Sequence, residues 1–62
     1  MNNNSIKTMD PNILLSLVNT KLRDEYSSLD ILCEDMDVDK ILIIERLKKI
    51  DYHYDNNKNS FK

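Results

Sequence analysis

The chain has 62 residues, of which 40% are hydrophobic and 32% are charged, and its formal net charge is −2. A chain of this length forms one small domain at most, and such a domain buries only about 60% of the surface that its unfolded chain exposes. A second copy that covers part of a thin core is therefore a candidate partner. The acidic balance disfavours nucleic-acid binding, because basic groups that neutralise phosphates supply most of that affinity.

Cysteine and histidine occur once each. A single cysteine cannot form an intramolecular disulfide, and the two residues fall short of the four ligands of a structural zinc site. No stretch approaches the ~20 apolar residues of a membrane span. The opening residues, MNNNSIKTM, lack the basic and apolar segments of a secretory signal. We expect a cytoplasmic protein that uses no cofactor or metal and does not enter a membrane.

The first nine residues are rich in asparagine and show no hydrophobic periodicity, which predicts a disordered or loosely docked tail. The folded domain is predicted to span residues 10–62. Asp10 is a good helix cap, and Pro11 fits the first helical position because its missing amide would have no partner there. A helix is expected over residues 12–26. Its inward face is predicted to consist of Leu14, Leu15, Val18 and Leu22. Its outer face, predicted to be solvated, carries Asn19, Lys21, Arg23 and Glu25.

The next stretch, residues 27–50, is typical of two helices joined by a turn of about three residues. Ser27 is predicted to cap the first helix, with Asp30 completing a capping box. Asp37 should end that helix and Asp39 should cap the second. Apolar residues at helical spacing should face inward, namely Leu29, Leu32, Cys33, Met36, Ile43, Leu47 and Ile50. With Val38 filling the corner, the stretch resembles a helix-turn-helix. Members of that class usually carry glycine at the turn position that Asp37 occupies here, so a distorted turn is expected.

After residue 50 the hydrophobic period changes to two, which predicts strands with Tyr52, Tyr54 and Phe61 on one face. Asn56-Asn57 suits a two-residue hairpin loop, since asparagine accepts positive φ. This loop would set the pairs Asp55 with Lys58, Tyr54 with Asn59, and Tyr52 with Phe61. The aromatic face should then close the core. The predicted fold is mainly α, a three-helix helix-turn-helix with a C-terminal β-hairpin, which is a minimal winged-helix-like domain.

Three stretches are distinctive as a set: VNTKLRDEYSSLDILCEDMDVDK, then YHYD, and a closing NSF followed by Lys62. On these motifs the chain resembles a short bacterial family of uncharacterised proteins. Its members share VNT, LRD, Y, SL and LC, and a hairpin with an aromatic-Asp pair that ends in Asn-x-Phe and a basic residue. The resemblance covers residues 10–62 and implies no activity or site. Residues 28–61 more loosely resemble winged helix-turn-helix domains, many of which bind DNA, but this likeness concerns the fold alone.

The outer face of the last predicted helix is the candidate site. With Ile43, Leu47 and Ile50 inward, an apolar patch of Ile41, Leu42 and Ile44 should face out, together with Glu45 and the charged residues Lys40, Lys48 and Lys49. Monomers seldom leave such an apolar patch open, so we predict a non-enzymatic interaction module that self-associates or binds a protein partner. If Ile44 lies at the margin of the core, the remainder is ordinary surface.

The alternative is a DNA-binding regulator of the winged-helix type, whose second motif helix enters the major groove. The candidate phosphate contacts are Lys40, Lys48, Lys49 and Lys58. No Arg, Asn or Gln is placed for a bidentate base contact, and Glu45 would repel phosphates. The sequence therefore favours a protein partner and keeps DNA as the second possibility. An acidic surface that occupies a basic site on another protein is a further possibility.

Enzymatic functions are disfavoured. His53 is predicted to lie on the strand face opposite the tyrosines, where it would be exposed. Cys33 should be a packed residue, because no basic neighbour is available to lower its pKa. The alternating acids of residues 35–39 have the spacing of an EF-hand loop, but the loop glycine is missing and Arg46 stands at the twelfth position instead of Glu. We predict no catalytic and no metal site.

Overall fold

The computed structural model describes all 62 residues and contains four helices followed by a two-stranded antiparallel hairpin. The helices are α1 (Asn3–Thr8), α2 (Pro11–Asp24), α3 (Leu29–Met36) and α4 (Lys40–Lys48), and the strands are β1 (Tyr54–Asp55) and β2 (Ser60–Phe61). This architecture confirms the mainly α fold with a C-terminal hairpin and adds one helix, α1, to the three that the sequence predicts. None of the helices combines the length and the apolar character that a membrane crossing requires.

The segment before α2 corrects the prediction of a disordered or loosely docked tail over residues 1–9. Asn2 caps α1 by accepting a hydrogen bond of 2.8 Å from a backbone amide of the helix, and Ile6 has no exposed surface. α1 packs mainly against α4, and the amide of Asp39 donates to Oδ1 of Asn3 at 2.9 Å. A single buried isoleucine produces no periodicity, so the sequence pattern could not reveal this helix.

α2 begins as predicted, with Asp10 accepting a hydrogen bond from the amide of Asn12 at 2.8 Å and Pro11 in the first turn. It ends at Asp24, two residues before the predicted end. The predicted inward face is confirmed at Leu14, Val18 and Leu22, which are buried. Leu15 is half-buried at the margin of the core.

The start of α3 lies one residue later than predicted. The cap is Ser28 and not Ser27, and its hydroxyl accepts a hydrogen bond from the amide of Ile31 at 3.2 Å. This start makes Leu29 the first helical residue, and its side chain is 1% exposed. Burial of Leu29 therefore selects between two serines that are chemically equivalent as caps.

The turn between α3 and α4 is regular and not distorted, although an aspartate occupies its left-handed position. Asp37 has φ 55° and ψ 50°, and its amide bonds to the carbonyl of Glu34 at 3.4 Å. The amide of Val38 bonds to the carbonyl of Cys33 at 3.0 Å. These two bonds are those of a Schellman cap, which satisfies the last carbonyls of α3. Val38 is 8% exposed, as expected of a residue that fills the corner, and Asp39 caps α4 as predicted.

The core is one cluster of eleven buried residues, all of them apolar: Ile6, Leu14, Val18, Leu22, Leu29, Leu32, Cys33, Val38, Ile43, Leu47 and Phe61. Every helix and strand β2 contribute to it. Met36 and Ile50, also predicted to face inward, are half-buried at its edge. The inward faces of α2, α3 and α4 are therefore correctly predicted, and Ile6 of α1 completes them.

The hairpin register differs from the prediction by two residues. Tyr54 faces Phe61 and Asp55 faces Ser60, so the loop has four residues, 56–59, instead of two. Oδ1 of Asp55 accepts hydrogen bonds from two loop amides, at 2.8 and 3.2 Å, and Asn59 adopts φ 51° at the end of the loop. The rings of Tyr54 and Phe61 lie 5.4 Å apart, whereas Tyr52 is 36% exposed and lies outside the core cluster.

Candidate functional site

The outer face of α4 holds the four predicted partner-binding residues, but its apolar patch is smaller than predicted. Ile41 is 67% exposed and Glu45, one turn later, is also exposed. Leu42 and Ile44 lie on the two flanks of this face and are half-buried against the core. The centre of the face is therefore one exposed isoleucine next to a carboxylate, bordered by two partly covered aliphatic side chains.

The lysines of the DNA-binding alternative are placed along α4 and on the hairpin. Nζ of Lys40 lies 2.7 Å from a carboxylate oxygen of Asp30 on α3. This hydrogen bond and the carboxylate charge raise the pKa of Lys40 above its ordinary value. Lys48 and Lys49 are exposed at the far end of α4, about 12 Å along the helix axis from Lys40. Lys58 lies in the hairpin loop, so these charges are distributed over different elements.

A second exposed isoleucine lies on α3, where the sequence predicts no site. Ile31 is 47% exposed, and it borders a shallow hollow of about 500 Å³ together with Glu34 and Asp35. The hydroxyl of Tyr26 donates to a carboxylate oxygen of Asp35 at 2.6 Å. That hydrogen bond, with partial burial, raises the pKa of Tyr26 to about 12. The helical period puts Ile31 on the outer side of α3, which is the signal that would have identified it.

The largest groove, of about 780 Å³, runs between α2 and the hairpin and is open to solvent. Its walls are mainly amide, hydroxyl and cationic side chains, but several of these already have partners. The guanidinium of Arg23 makes two hydrogen bonds to Asp24, at 2.8 and 3.0 Å, and it lowers the pKa of that carboxyl. The amides of Asn19 and Asn59 bond to the backbone. We therefore interpret the groove as a seam between two elements.

Two asparagines hold the hairpin on α2, which corrects the prediction that Asn19 lies on a solvated face. Asn19 donates to the carbonyl of Phe61 at 3.1 Å and accepts from its amide at 2.8 Å. The amide of Asn59 donates to the carbonyls of Leu22 and Tyr26, at 3.0 and 2.9 Å. Both asparagines belong to the VNT and Asn-x-Phe motifs of the sequence. These motifs therefore have a structural explanation.

The chain has two side chains of intrinsic reactivity, Cys33 and His53. Cys33 is 7% exposed, and burial is the main cause that raises the pKa of its thiol. His53 is exposed, with Nε2 3.5 Å from a carboxylate oxygen of Asp51. Burial of the thiol therefore disfavours the thiolate form of Cys33 that a nucleophile requires.

The fold and its surfaces define a small, mainly α domain with a C-terminal hairpin and with grooves that are open to solvent. A family model described as Domain of unknown function (DUF4250) matches residues 8–61. The chain belongs to this family, which confirms the resemblance drawn from its motifs. The match starts at the last residue of α1 and covers α2 through the hairpin. Neither the curated proteins nor the solved structures include a match to the chain.

Proposed function

We propose that the domain is a non-enzymatic interaction module that binds a partner protein through the outer face of α4. The observation that carries the proposal is the 67% exposure of Ile41 in the first turn of a helix whose inner residues, Ile43 and Leu47, are completely buried. The helix is thus anchored by its other face, and docking of a partner would order little additional backbone. Leu42 and Ile44 would widen the apolar contact, and Glu45 would lie at its polar rim.

Two arguments favour a different protein over a second copy as the partner. The accessible surface of the isolated chain is 4056 Å², close to the about 4,200 Å² that size scaling gives for a monomeric domain of 7.3 kDa. No unusual area is left for an obligate dimer to cover. A two-fold contact centred on Ile41 would also place the Glu45 carboxylates of both copies in one interface, since Glu45 is one turn from Ile41.

Site-specific photocrosslinking in the cells that produce the protein tests this proposal. A photoreactive residue at position 41 should form an adduct with a discrete partner, whereas the same residue at position 13 should not. Ile13, on α2, is the matched control because it is 61% exposed. Excess Ile13→Glu protein should compete for the adduct, and excess Ile41→Glu protein should not. Adducts at both positions, or at neither, would reject the α4 face as the docking site. An adduct between two copies of this chain would reject the proposal that the partner is a different protein.

DNA binding of the winged-helix type is the second candidate. The observation in its favour is that Lys48, Lys49 and Lys58 are exposed and that no ion pair engages them. Phosphate contacts by these lysines would give binding that weakens steeply with salt. Fluorescence anisotropy with a mixed-sequence duplex at ~50 mM salt is the direct test. An unchanged anisotropy there would exclude this candidate.

A further inference from the structure

The acidic residues of this chain are concentrated around α3. Seven of the eleven lie between positions 24 and 39, and no lysine or arginine occurs in that interval: Asp24, Glu25, Asp30, Glu34, Asp35, Asp37 and Asp39. The chain as a whole has nine basic residues, so this interval is far more acidic than the net charge of −2 indicates.

The outer face of α3 combines part of this charge with an apolar side chain. Ile31 is 47% exposed, and Glu34 and Asp35, both exposed, follow it by three and four residues. That spacing puts the three side chains on one side of the helix. They line the shallow hollow of about 500 Å³, in which no other residue takes part. The opposite face of α3 is buried against the core through Leu29 and Leu32.

The charges on this face are not neutralised within the molecule. Glu34 makes no ion pair, and Asp35 accepts a hydrogen bond only from the neutral hydroxyl of Tyr26. Both carboxylates lie in the last turn of α3, which has no basic residue. The C-terminal end of a helix is its negative pole, so two carboxylates there are unfavourably placed, and a cation near them would be favourable.

We propose that the outer face of α3 binds a cationic segment of a partner protein, in which an apolar side chain is flanked by Lys or Arg. The apolar side chain would cover Ile31, and the cations would pair with Glu34 and Asp35. Charge complementarity excludes a second copy of this face as the occupant, because acidic groups would then oppose acidic groups. This surface is separate from the outer face of α4, and the proposal holds whether or not that face binds a partner.

Fluorescence anisotropy with a labelled amphipathic peptide of Leu and Lys tests the proposal, with a peptide of Leu and Glu as the negative probe. The intact protein should bind the Leu–Lys peptide alone. Glu34→Gln should weaken binding about two- to fivefold, the effect of losing one exposed ion pair, and Ile31→Ser should weaken it about tenfold. The matched control is Asp51→Asn, which removes the same charge from a carboxylate side chain that is 99% exposed and remote from α3 in sequence. Far-UV circular dichroism verifies that each variant is folded.

The location of binding is read from amide chemical-shift changes during titration with the peptide. Changes centred on residues 31–35 are expected. Equal weakening by Glu34→Gln and Asp51→Asn would show diffuse attraction to net charge and would overturn the proposal. Changes centred on residues 41–45 would overturn it as well, and would instead assign the peptide to the outer face of α4. Absence of binding by the intact protein would reject the cationic partner and leave the proposed function of α4 unaffected.

Discussion

At the scale of single residues, Asn59 connects three parts of the molecule. Its amide nitrogen donates to the carbonyl of Leu22 in the last turn of α2 and to the carbonyl of Tyr26, two residues after the helix ends. Its Oδ1 accepts from the hydroxyl of Tyr54 at 2.7 Å, and that hydroxyl in turn accepts from the amide of Leu29 at 3.2 Å. The backbone of Asn59 has φ 51°, a conformation that asparagine tolerates better than most residues. One residue therefore ends the hairpin loop, caps α2 and reaches α3 through Tyr54.

We predict that Asn59→Gly lowers the free energy of unfolding by about 2 kcal/mol. Glycine accepts the positive φ, so the loss reports the missing side-chain hydrogen bonds and the carbonyls left without partners. Urea denaturation followed by circular dichroism measures it. Asn57→Gly is the control, because Asn57 is exposed in the same loop and the change adds the same chain flexibility. Equal losses for the two variants would show that flexibility, and not the amide, is responsible.

The hydrogen bond between Tyr26 and Asp35 should make the stability of the fold depend on pH. The pKa of Tyr26 is raised to about 12 in the folded protein, against about 10 in an unfolded chain. A raised pKa means that the folded state holds the proton more tightly. The stabilisation is therefore fully present below pH ~10 and is lost as the pH rises towards ~12.

The phenol carbon resonance of Tyr26, followed against pH, should show this high pKa. Asp35→Asn should bring the pKa back towards the ordinary value, because the hydrogen bond to the carboxylate is its main cause. Tyr26→Phe assigns the resonance. If Tyr26 titrates at the same pH in both proteins, the hydrogen bond does not form in solution.

At the scale of elements, α1 depends entirely on its contacts with the rest of the chain. A helix of six residues is too short to be stable alone in water. It is held by the burial of Ile6, by Asn3 bonded to the amide of Asp39, and by Arg46, whose guanidinium donates to the carbonyl of Met9 at 2.6 Å. Nε of Arg46 is buried there without a partner. α1 and α4 therefore stabilise each other.

We predict that Ile6→Ala lowers the free energy of unfolding by about 2–4 kcal/mol, as expected when a completely buried isoleucine is truncated. Ile13→Ala should change it by less than about 0.5 kcal/mol, because Ile13 is 61% exposed. Urea denaturation measures both. A small effect at Ile6 would mean that α1 is detached in solution and that the first nine residues behave as the sequence alone predicts.

The register of the hairpin could not be predicted from the hydrophobic periodicity of the sequence. Asn56-Asn57 is a suitable two-residue loop, but Asp55 can also start a turn by accepting from the amides of the next residues, as it does here. The backbone amide of Lys58 is the main cause that lowers the pKa of Asp55. Tertiary contacts decide between the two registers, because Phe61 must enter the core while Asn19 bonds to its backbone.

At the scale of the whole molecule, the domain has one core and no independent part. Ile6 at one end of the chain and Phe61 at the other belong to the same cluster of buried residues. A small domain with a single core usually unfolds in one cooperative step. The ends of the chain should therefore not unfold separately from α2, α3 and α4.

We predict that helical structure and the hairpin are lost at the same denaturant concentration. Far-UV circular dichroism reports the helices, and tyrosine fluorescence reports mainly the hairpin, which carries or adjoins two of the three tyrosines. Coincident midpoints are the expected result. An earlier fluorescence transition would mean that the hairpin is a separate unit, held by its two asparagine contacts alone.

The sequence by itself determined the local features: the caps at Asp10 and Asp39, the end of α3 at Asp37, and the inward faces of α2, α3 and α4. These follow from short-range hydrogen bonding and from the helical period, which are properties of neighbouring residues. The tertiary structure decided the docking of α1, the choice of Ser28, the hairpin register and the exposure of Leu42 and Ile44. Each of these depends on whether a distant element covers the residue, and contacts between residues far apart leave no periodic signal in one sequence.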